Sequence, residues 1–409
     1  MNNHESICIC GGGASGLFAS IRCKEVNPDA SVVVFEKSDQ ILSKVSVSGG
    51  GRCNLTNRIE DPIVMASNYP RGKKELISAF YRFGPLDTIN WFTQNGVPLK
   101  TEFNKRVFPV SNSSASIVNL LTKMANQSGV EIKKQCGIKN VSKLPRGFEL
   151  ELTDDTTYTC DKLLLACGGQ VDSEAIAIAK SFGHTIQKQI PSLFSFSIPQ
   201  NPLKELSGIS VDNAAISIPE IKLSQTGALL ITHQGFSGPA VLTLSSLAAK
   251  KLYERNYSFK CTVCWCPNLQ PNSIREKIAD MRKNSPSLAI HKTQLVPLPS
   301  RLWSTLVELS GCSLSTTWAS FTKKNENSLL NTIFSSEFDI NGKAANKSEF
   351  VTCGGVKLSE ISFKTMESKL CSGLYFSGEI LDIDGLTGGF NLQAAWTTGY
   401  IAGESMASF

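Results

Sequence analysis

Blocks of apolar residues recur along this chain, and the spacing inside each block predicts its secondary structure. Residues 6–10 and 31–36 are short continuous apolar runs, as in buried parallel strands. Residues 14–26, between them, have the length and composition of a helix. The three segments predict a βαβ unit of about 30 residues.

Helices and a loop are predicted after this unit. Residues 44–57 are polar and rich in glycine, which predicts a loop. Residues 72–96 and 114–128 have helical patterns, and the pair Gly84-Pro85 predicts a break in the first of them because proline cannot continue a helix there.

Strand patterns dominate the middle of the chain. Residues 130–165 contain strand-like runs separated by turn residues, which predicts an antiparallel meander ending in an apolar strand. After Pro191 short alternating strands predict a β-rich segment, and residues 272–331 look helical. From about Cys353 the apolar strands and glycines of the first part resume.

This order of elements and the chain length predict an α/β protein of two or three domains. A chain of 409 residues exceeds one ordinary hydrophobic core. We expect a discontinuous nucleotide-binding domain interrupted by an insert that is β-rich and then helical. The expected boundaries are 1–190 with 351–409 for the nucleotide-binding domain, 191–271 with 332–350 for the β-rich insert, and 272–331 for the helical subdomain.

Composition excludes several classes of protein. Hydrophobic residues make up 41% and charged residues 19%, as in ordinary globular chains and unlike disordered or fibrous ones. No apolar run approaches the roughly 18 residues that span a bilayer, and no secretory signal pattern precedes the first strand. We therefore expect a cytoplasmic protein with no membrane partner.

The 13 cysteines raise the question of a metal site or of disulfides. Their number is odd, and several lie inside predicted strands, where cysteine packs as a small hydrophobic residue. The tightest group, Cys261, Cys264 and Cys266, alternates along one predicted strand, and no second Cys or His pair follows at zinc-ligand spacing. We expect reduced structural thiols and no stable metal.

A glycine-rich turn joins the first strand to the first helix. Gly11, Gly13 and Gly16 have Gly-x-Gly-x-x-Gly spacing, and Glu36 ends the second strand. This pattern lets the backbone approach a pyrophosphate at a helix N-terminus, while the acid accepts hydrogen bonds from ribose hydroxyls. The nucleotide-binding candidates here are Gly11, Gly13, Ala14, Ser15, Gly16, Glu36 and Lys37.

A second glycine-rich segment covers residues 46–57. Consecutive glycines let backbone N–H groups point at a phosphate or a flavin carbonyl, and Arg52 adds a fixed positive charge. A mobile linker is the alternative, but linkers do not usually mix glycine with Arg-Cys-Asn. The cofactor-binding candidates of this region are Lys44, Gly50, Gly51, Arg52, Cys53, Asn54 and Thr56.

A third glycine-rich segment follows the last apolar strand. Gly378 and Glu379 end that strand, and Gly388-Gly389 precedes a helix rich in small residues. An acid there can hold a ribityl hydroxyl, and a helix N-terminus can stabilise the negative charge that a flavin pyrimidine gains on reduction. Simple packing of this helix against the sheet is the alternative. We expect one FAD, with the further candidates Cys167, Gly168, Gly378, Glu379, Gly388, Gly389, Phe390, Asn391, Gln393 and Ala394.

Two side chains are candidates for catalysis. His233 could be a substrate-facing acid or a loop histidine bonded to backbone. Cys53 could be a redox thiol, but it lacks a resolving cysteine at Cys-x-x-Cys spacing, which favours a packed structural cysteine. His184, at a predicted helix end, is expected to be a structural cap.

These motifs together resemble one family over essentially the whole chain. Gly-Gly-Gly-Arg-Cys-Asn at residues 49–54 and Ser-Gly-Pro-Ala-Val-Leu at residues 237–242 are the specific ones. The resemblance is to the BaiN/RdsA-like (YhiN-like) family of FAD-dependent oxidoreductases. It implies a Rossmann-like FAD-binding domain of the two-dinucleotide-binding type, with a β-barrel-like insert and a small helical subdomain. It also implies hydride transfer from NAD(P)H to a carbon–carbon double bond, in a steroid-like enone or in a uracil ring of large-subunit ribosomal RNA.

One segment departs from the family pattern. The family has a Ser/Pro/Gly-rich loop after the glycine pair at 168–169, whereas here the chain runs through residues 170–173 straight into a helix. The shorter loop should alter the lining near the flavin.

Charge bears on the choice of substrate. Residues 191–350 contain 16 Lys and Arg against 11 Asp and Glu, and the whole chain has a net charge of +6. A solvated surface explains such a bias, and ribosomal RNA as a polyanionic partner is the other explanation. We expect NAD(P)H as a transient co-substrate, since no second nucleotide fingerprint is present, and a uridine of ribosomal RNA as substrate. A small-molecule enone or amine, and a non-catalytic FAD-binding RNA-associated factor, are the alternatives.

Overall fold

The computed structural model describes residues 5–343 and 351–408, which form two compact units. Unit 1 combines residues 5–192 with 351–408, and unit 2 is residues 193–343. In the described part of the chain, no helix is both long and apolar enough to cross a membrane.

The elements follow in chain order. Unit 1 begins with β1 (Ser6–Cys10), α1 (Ala14–Val26), β2 (Ser31–Glu36), α2 (Ser43–Gly51), β3 (Thr56–Asn57), α3 (Pro62–Ala66), α4 (Lys73–Arg82), α5 (Pro85–Gln94), β4 (Leu99–Thr101), β5 (Arg106–Pro109), α6 (Ala115–Gln127), β6 (Glu131–Lys134), β7 (Ile138–Lys143), β8 (Phe148–Leu152), β9 (Thr157–Cys160), β10 (Lys162–Leu165), α7 (Glu174–Ser181) and β11 (Ile186–Pro191). Unit 2 contains β12 (Phe196–Ser197), β13 (Ser210–Ile218), β14 (Leu223–Thr232), β15 (Gly235–Ser237), α8 (Pro239–Glu254), β16 (Ser258–Cys264), α9 (Pro271–Asn284), α10 (Ser300–Leu309), α11 (Lys323–Phe334) and β17 (Ser336–Asn341). The chain then returns to unit 1 with β18 (Thr352–Val356), β19 (Ile361–Ser362), β20 (Glu367–Ser368), β21 (Leu374–Phe376) and α12 (Phe390–Ala407).

The main sheet of unit 1 has the strand order β19-β20-β21-β10-β1-β2-β6. Strands β21, β10, β1, β2 and β6 run parallel, so their carboxyl ends share one edge. Residues 32–35 of β2 are all buried, and a strand buried on both faces needs apolar side chains at successive positions. The segments that leave this edge carry Gly11, Glu36, Gly168 and Gly378.

Helices α1 and α12 pack side by side and parallel. A Cβ on Gly399 would lie 2.5 Å from the Ser15 carbonyl oxygen, and one on Gly403 would lie 2.4 Å from that of Ala19. Glycine at both positions therefore allows the two backbones to touch. In this register α12 begins about eight residues, or about 12 Å, ahead of α1 along the shared direction.

Smaller sheets complete unit 1. Strands β7, β8 and β9 form an antiparallel meander, which is narrower than residues 130–165 because β6 and β10 join the parallel sheet instead. Strands β3, β5 and β4 form an antiparallel three-stranded sheet, and β11 pairs with β18.

Unit 2 is built on an antiparallel sheet with the order β12-β15-β14-β13-β16-β17. Phe196 of β12 bridges Lys343, just after β17, and the Ser197 N–H donates to the Gly342 carbonyl (3.2 Å). These contacts bring the two edge strands together, so the sheet forms a nearly closed barrel.

Helices α9, α10 and α11 belong to the same compact unit as this sheet. Glu326 of α11 accepts hydrogen bonds from Arg275 (2.6 Å) and Arg282 (3.1 Å) of α9, and from Lys323 (2.6 Å) of its own helix. Its side chain is only 2% exposed, so this ion cluster ties α9 to α11.

Candidate cofactor site

The turn after β1 brings the backbone close to the carboxyl edge of the sheet. The Gly11 N–H donates to the Phe35 carbonyl of β2 (2.8 Å). A Cβ on Gly16 would lie 2.0 Å from the Gly11 carbonyl oxygen, so only glycine lets α1 start this close to the turn. At Gly13 no atom of the described residues lies within 4 Å of the Cβ position, which leaves open space before the first turn of α1. Ala14 and the buried Ser15 begin that turn.

Glu36 ends β2 beside this turn. Its carboxylate accepts hydrogen bonds from the Gly12 N–H (2.9 Å) and from the N–H (2.9 Å) and hydroxyl (2.8 Å) of Ser38. These bonds fix the orientation of the carboxylate at the strand end. The exposed Lys37 points elsewhere, since its ammonium donates to the side chain of Gln170 (2.8 Å).

The second glycine-rich segment begins as a helix, not as the loop expected from Lys44 onward. Helix α2 covers Ser43–Gly51, and its helical geometry ends at Ser48. Gly49, Gly50 and Gly51 then all have positive φ, between 57° and 79°. Nothing described lies within 4 Å of the Cβ positions of Gly50 and Gly51, so this left-handed backbone borders open space.

Arg52 is held by protein groups. Its guanidinium lies 4.0 Å from the centre of the Phe108 ring and donates to Glu102 (2.8 Å). The side chain remains 39% exposed, and its contacts with Phe108 and Glu102 fix its position.

Cys53 faces the interior. The residue is fully buried, and burial raises the pKa of its thiol to about 12. A thiol that stays protonated and shielded from solvent is a poor nucleophile or redox centre. Its environment favours the structural alternative.

Hydrogen bonds connect residues 54–57 to the start of α12. The Thr56 hydroxyl donates to Gln393 (2.6 Å), the Asn57 amide donates to the Gly388 carbonyl (3.2 Å), and the Trp396 indole donates to the Leu55 carbonyl (3.1 Å). With its amide oriented to satisfy both neighbours, Asn54 accepts from the Gly389 N–H (3.0 Å) and donates to the Thr56 carbonyl (3.2 Å). A Cβ on Gly389 would lie 2.5 Å from the backbone of Thr56, so this glycine is what allows the contact.

The loop before α12 is equally well held. The Asn391 side chain accepts from the Gly385 N–H (2.8 Å) and donates to its carbonyl (2.9 Å), and the Tyr69 hydroxyl donates to the Phe390 carbonyl (2.6 Å). Phe390 and Ala394 are buried. Asn391 and Phe390 therefore position the helix start through protein contacts.

A buried ion pair anchors the same loop. Asp384 is fully buried and forms two hydrogen bonds with Arg71, and the Ser192 hydroxyl donates to the same carboxylate. Burial alone would lower the pKa of Arg71, but its hydrogen bonds to Asp384 outweigh burial and raise it. No local pattern distinguishes Asp384 from Asp382, two residues before it, so its burial could not be predicted from the sequence.

Lys44 and Glu379 pair with each other across the cleft. Their ammonium and carboxylate lie 2.6 Å apart, and Glu379 also accepts from the Thr352 N–H (3.1 Å). A Cβ on Gly168 would lie 3.9 Å from both charged groups. Gly378 is fixed to α12, because its N–H donates to the Thr398 hydroxyl (2.9 Å).

Two cysteines lie at the ends of neighbouring strands. The sulfurs of Cys10 and Cys167 are 2.9 Å apart, and the described cysteines are free thiols. The hydrogen bond from Cys167, together with burial, raises the pKa of Cys10 well above its ordinary value. Cys10 is therefore a neutral thiol that lines the sheet edge.

These features together fit an extended nucleotide such as FAD. Neither α1 nor α12 has a side-chain cap or an acid in its first turn, so the first N–H groups of both helices are left for a ligand. The buried Ser377 hydroxyl and the Asn57 side-chain oxygen have no hydrogen-bond partner among the described residues. Two positive helix ends, offset by about 12 Å along their shared direction, can hold a phosphate at one end and an electron-rich ring at the other.

The two histidines singled out in the sequence, His184 and His233, lie outside this set. His184 is buried, and its ring nitrogens contact Glu360 (3.2 Å) and Ser368 (2.8 Å). His233 belongs to unit 2, where it is exposed in the turn between β14 and β15. Among the described residues, no group of three or more His, Cys, Asp or Glu side chains could hold a metal ion.

A family model described as the HI0933-like protein Rossmann domain matches residues 5–405. The chain belongs to this family. A 3-dehydro-bile acid delta(4,6)-reductase of Clostridium scindens is 29% identical, over 98% of each chain. A ribosomal RNA dihydrouridine synthase of Escherichia coli is 28% identical, over 99% of this chain and 98% of that one.

Solved structures agree on the architecture. A 3-ketosteroid-delta4-(5alpha)-dehydrogenase of Rhodococcus jostii, in complex with 4-androstene-3,17-dione, has a TM-score of 0.54 and covers 99% of this chain and 97% of its own. At 13% identity this similarity concerns the fold alone.

The expected family and α/β fold are thus confirmed, including the Rossmann-like domain and the barrel-like insert. As a member of this HI0933-like family, the protein is an FAD-dependent oxidoreductase.

Proposed function

We propose that this HI0933-like protein takes hydride from NAD(P)H and reduces an activated carbon–carbon double bond, with a uridine of large-subunit ribosomal RNA as substrate. The balance is one NAD(P)H and one proton consumed for each dihydrouridine formed. Such a substrate would require a cytoplasmic enzyme. The single observation that carries the cofactor part is the pair of uncapped helix ends, with α12 beginning about 12 Å ahead of α1 along their shared direction.

Different segments of this chain would hold different parts of the cofactor. We propose that the turn around Gly13 receives the pyrophosphate and that Glu36 accepts from the adenosine ribose. The backbone at Gly50 and Gly51, and the first turn of α12, would receive the flavin end. Bound FAD would supply the hydride-transfer chemistry between a nicotinamide and the substrate carbon.

The N-terminus of α12 would contribute a partial positive charge to the flavin end of the site. Its partial positive charge stabilises negative charge on a neighbouring ring, and it needs no reorganisation because Asn54, Thr56 and Asn391 fix its position. The pair between Lys44 and Glu379 keeps two opposite charges at the cleft, where either can hold a ribityl or nicotinamide hydroxyl.

The charge of residues 191–350 and the name of one relative favour ribosomal RNA as the substrate. Residues 191–350 have a surplus of cations, and one relative over nearly its full length is named a ribosomal RNA dihydrouridine synthase. A small-molecule enone is the second candidate, because the relative named a bile acid reductase is equally similar.

Two measurements test the proposal. Anaerobic mixing of the holoenzyme with NADH or NADPH should bleach the flavin absorbance, and no bleaching with either would remove the reductase assignment. Deleting the gene should lower dihydrouridine in large-subunit ribosomal RNA, and an unchanged level would exclude this substrate and leave the enone.

His233, in the unit 2 turn between β14 and β15, is our candidate acid for the substrate. The Asn201 amide holds this turn by donating to the Thr232 carbonyl (3.0 Å). His233→Gln should slow dihydrouridine formation while leaving flavin reduction by NAD(P)H at the parent rate. Equal losses in both steps would exclude this role.

A further inference from the structure

The hairpin of β4 and β5 presents an aromatic ring at its tip. Phe103 is fully exposed, at 108% of the reference area. The loop is nevertheless well defined: the Glu102 N–H donates to the Arg106 carbonyl (2.8 Å), and the Lys105 N–H donates to the Glu102 carbonyl (2.9 Å). The backbone therefore holds the phenyl ring in solvent. A single exposed apolar side chain needs no explanation by itself, so its surroundings matter.

Cations outnumber acids in the segments next to this ring. The hairpin and the neighbouring segment at residues 52–58 carry one acid, Glu102, which already accepts from Arg52, and Glu60 and Asp61 follow that segment. The Arg58 N–H donates to the Lys105 carbonyl (2.8 Å), which brings the two segments into contact. The five cations of this surface are Arg52, Arg58, Lys100, Lys105 and Arg106.

The hairpin borders the candidate cofactor site within unit 1. Arg106 of β5 pairs with Asn57 of β3, and the Asn57 side chain donates to the Gly388 carbonyl before α12. Neighbouring strands lie about 4.8 Å apart, so one strand separates the basic hairpin from the helix end assigned to the flavin. A molecule bound on the hairpin can therefore extend into the cleft.

We propose that the β4–β5 hairpin is a binding platform for unpaired RNA, on which Phe103 stacks a base next to the target uridine and the cations bind the flanking phosphates. This inference rests on the proposed function. Aromatic rings combined with cations are the recurring means of binding single-stranded nucleic acid. An enzyme that acts on a base ring must also hold that base out of the stack, and a stacked neighbour fixes the strand while it does so.

The test uses the full-length holoenzyme and a fluorescein-labelled oligouridine as the binding probe. Phe103→Ala should weaken binding about 10-fold, and Phe103→Trp should restore it, because any aromatic face can stack a base. The double variant Arg58→Gln/Lys105→Gln should make the salt dependence of binding shallower by about 1.4 in log–log slope, since two phosphate contacts are lost.

Matched controls lie on α4 of the same unit. Tyr81→Ala removes another exposed ring and Lys74→Gln another exposed cation, and both should bind the probe like the parent. Flavin absorbance and its bleaching by NAD(P)H should be unchanged in every variant, because Phe103 contributes nothing to the core.

The outcomes separate this proposal from the proposed function. If Phe103→Ala binds oligouridine like Tyr81→Ala, or if the parent does not bind it, the platform is excluded even where dihydrouridine is formed. If Phe103 matters for binding but ribosomal RNA gains no dihydrouridine, the platform stands and the reaction is wrong. Phe103-dependent binding to phosphatidylserine vesicles, with oligouridine binding unaffected, would assign the hairpin to a membrane surface and overturn the proposal.

Discussion

At the scale of single residues, glycines that look alike in the sequence meet different surroundings. A Cβ on Gly16 would lie 2.0 Å from the Gly11 carbonyl oxygen, whereas the Cβ position of Gly13 is open. The first glycine is required by the fold itself. The Cβ position of the second meets no atom of the described residues, so glycine here leaves room for a ligand.

This difference gives a matched pair of variants. Gly13→Val should leave the stability of the apoprotein within about 0.5 kcal/mol of the parent but abolish FAD binding. Gly16→Val should destabilise the apoprotein by about 1–3 kcal/mol, because the α1 backbone must move. Urea unfolding of the FAD-free proteins and fluorescence titration with FAD measure the two effects. Parent-like FAD affinity in Gly13→Val would place the pyrophosphate elsewhere.

Cys53 allows a test of chemistry against packing. Cys53→Ala should lower stability by roughly 1 kcal/mol through loss of a buried sulfur and leave flavin reduction by NAD(P)H at the parent rate. Stopped-flow absorbance gives the rate, with Cys371→Ala, a partly exposed thiol, as control. A stable Cys53→Ala protein whose flavin is not reduced by NAD(P)H would show that Cys53 takes part in the reaction.

At the scale of elements, the sequence predicts what is local and misses what is distant. The spacing of Gly11, Gly13 and Gly16 is enough to predict the strand, turn and helix around them, because all the interacting atoms are near neighbours in the chain. The bond from Thr56 to Gln393 joins residues 337 positions apart, and no local pattern indicates it. Phe103 was missed for another reason: its exposure depends on a hairpin whose polar tip reads as an ordinary turn.

The ion cluster between α9 and α11 makes unit 2 sensitive to acid. Burial alone would raise the pKa of Glu326, but hydrogen bonds from Lys323 and Arg275 outweigh it and hold the pKa below its ordinary value. A carboxylate with a lower pKa in the folded chain stabilises the fold above its unfolded pKa of about 4.3. That stabilisation is lost as the pH falls through the folded pKa.

Glu326→Gln should therefore destabilise unit 2 by about 2 kcal/mol at neutral pH, less than for a fully buried pair because the arginines are about one third exposed. The difference from the parent should shrink as the pH falls below about 4. Urea unfolding at several pH values, followed by hydrogen exchange in α9 and α11, gives the measurement. Glu337→Gln, exposed on β17, serves as control, and a difference that does not change with pH would contradict the assignment.

At the scale of the whole molecule, cofactor binding should stabilise unit 1 and leave the stability of unit 2 unchanged. FAD at about 100 times its dissociation constant adds about 2.7 kcal/mol to the stability of the structure that binds it. Because every proposed FAD contact lies in unit 1, hydrogen exchange should slow in β1, α1 and α12 and stay unchanged in the unit 2 barrel. In the Gly13→Val variant, added FAD should not slow hydrogen exchange in these elements. Equal protection of both units in the parent would mean that FAD also contacts unit 2.

The hydrogen bonds between residues 54–57 and the start of α12 also have a consequence for biosynthesis. A ribosome adds about 5–20 residues per second, so tens of seconds separate the synthesis of Asn57 from that of Gly388. Unit 2, continuous in the chain, is complete before then, while β10 waits for β21 and α1 waits for α12. Residues 54–57 therefore lack their α12 partners for most of translation, and the proposed flavin end of the cleft forms only after α12 has been made.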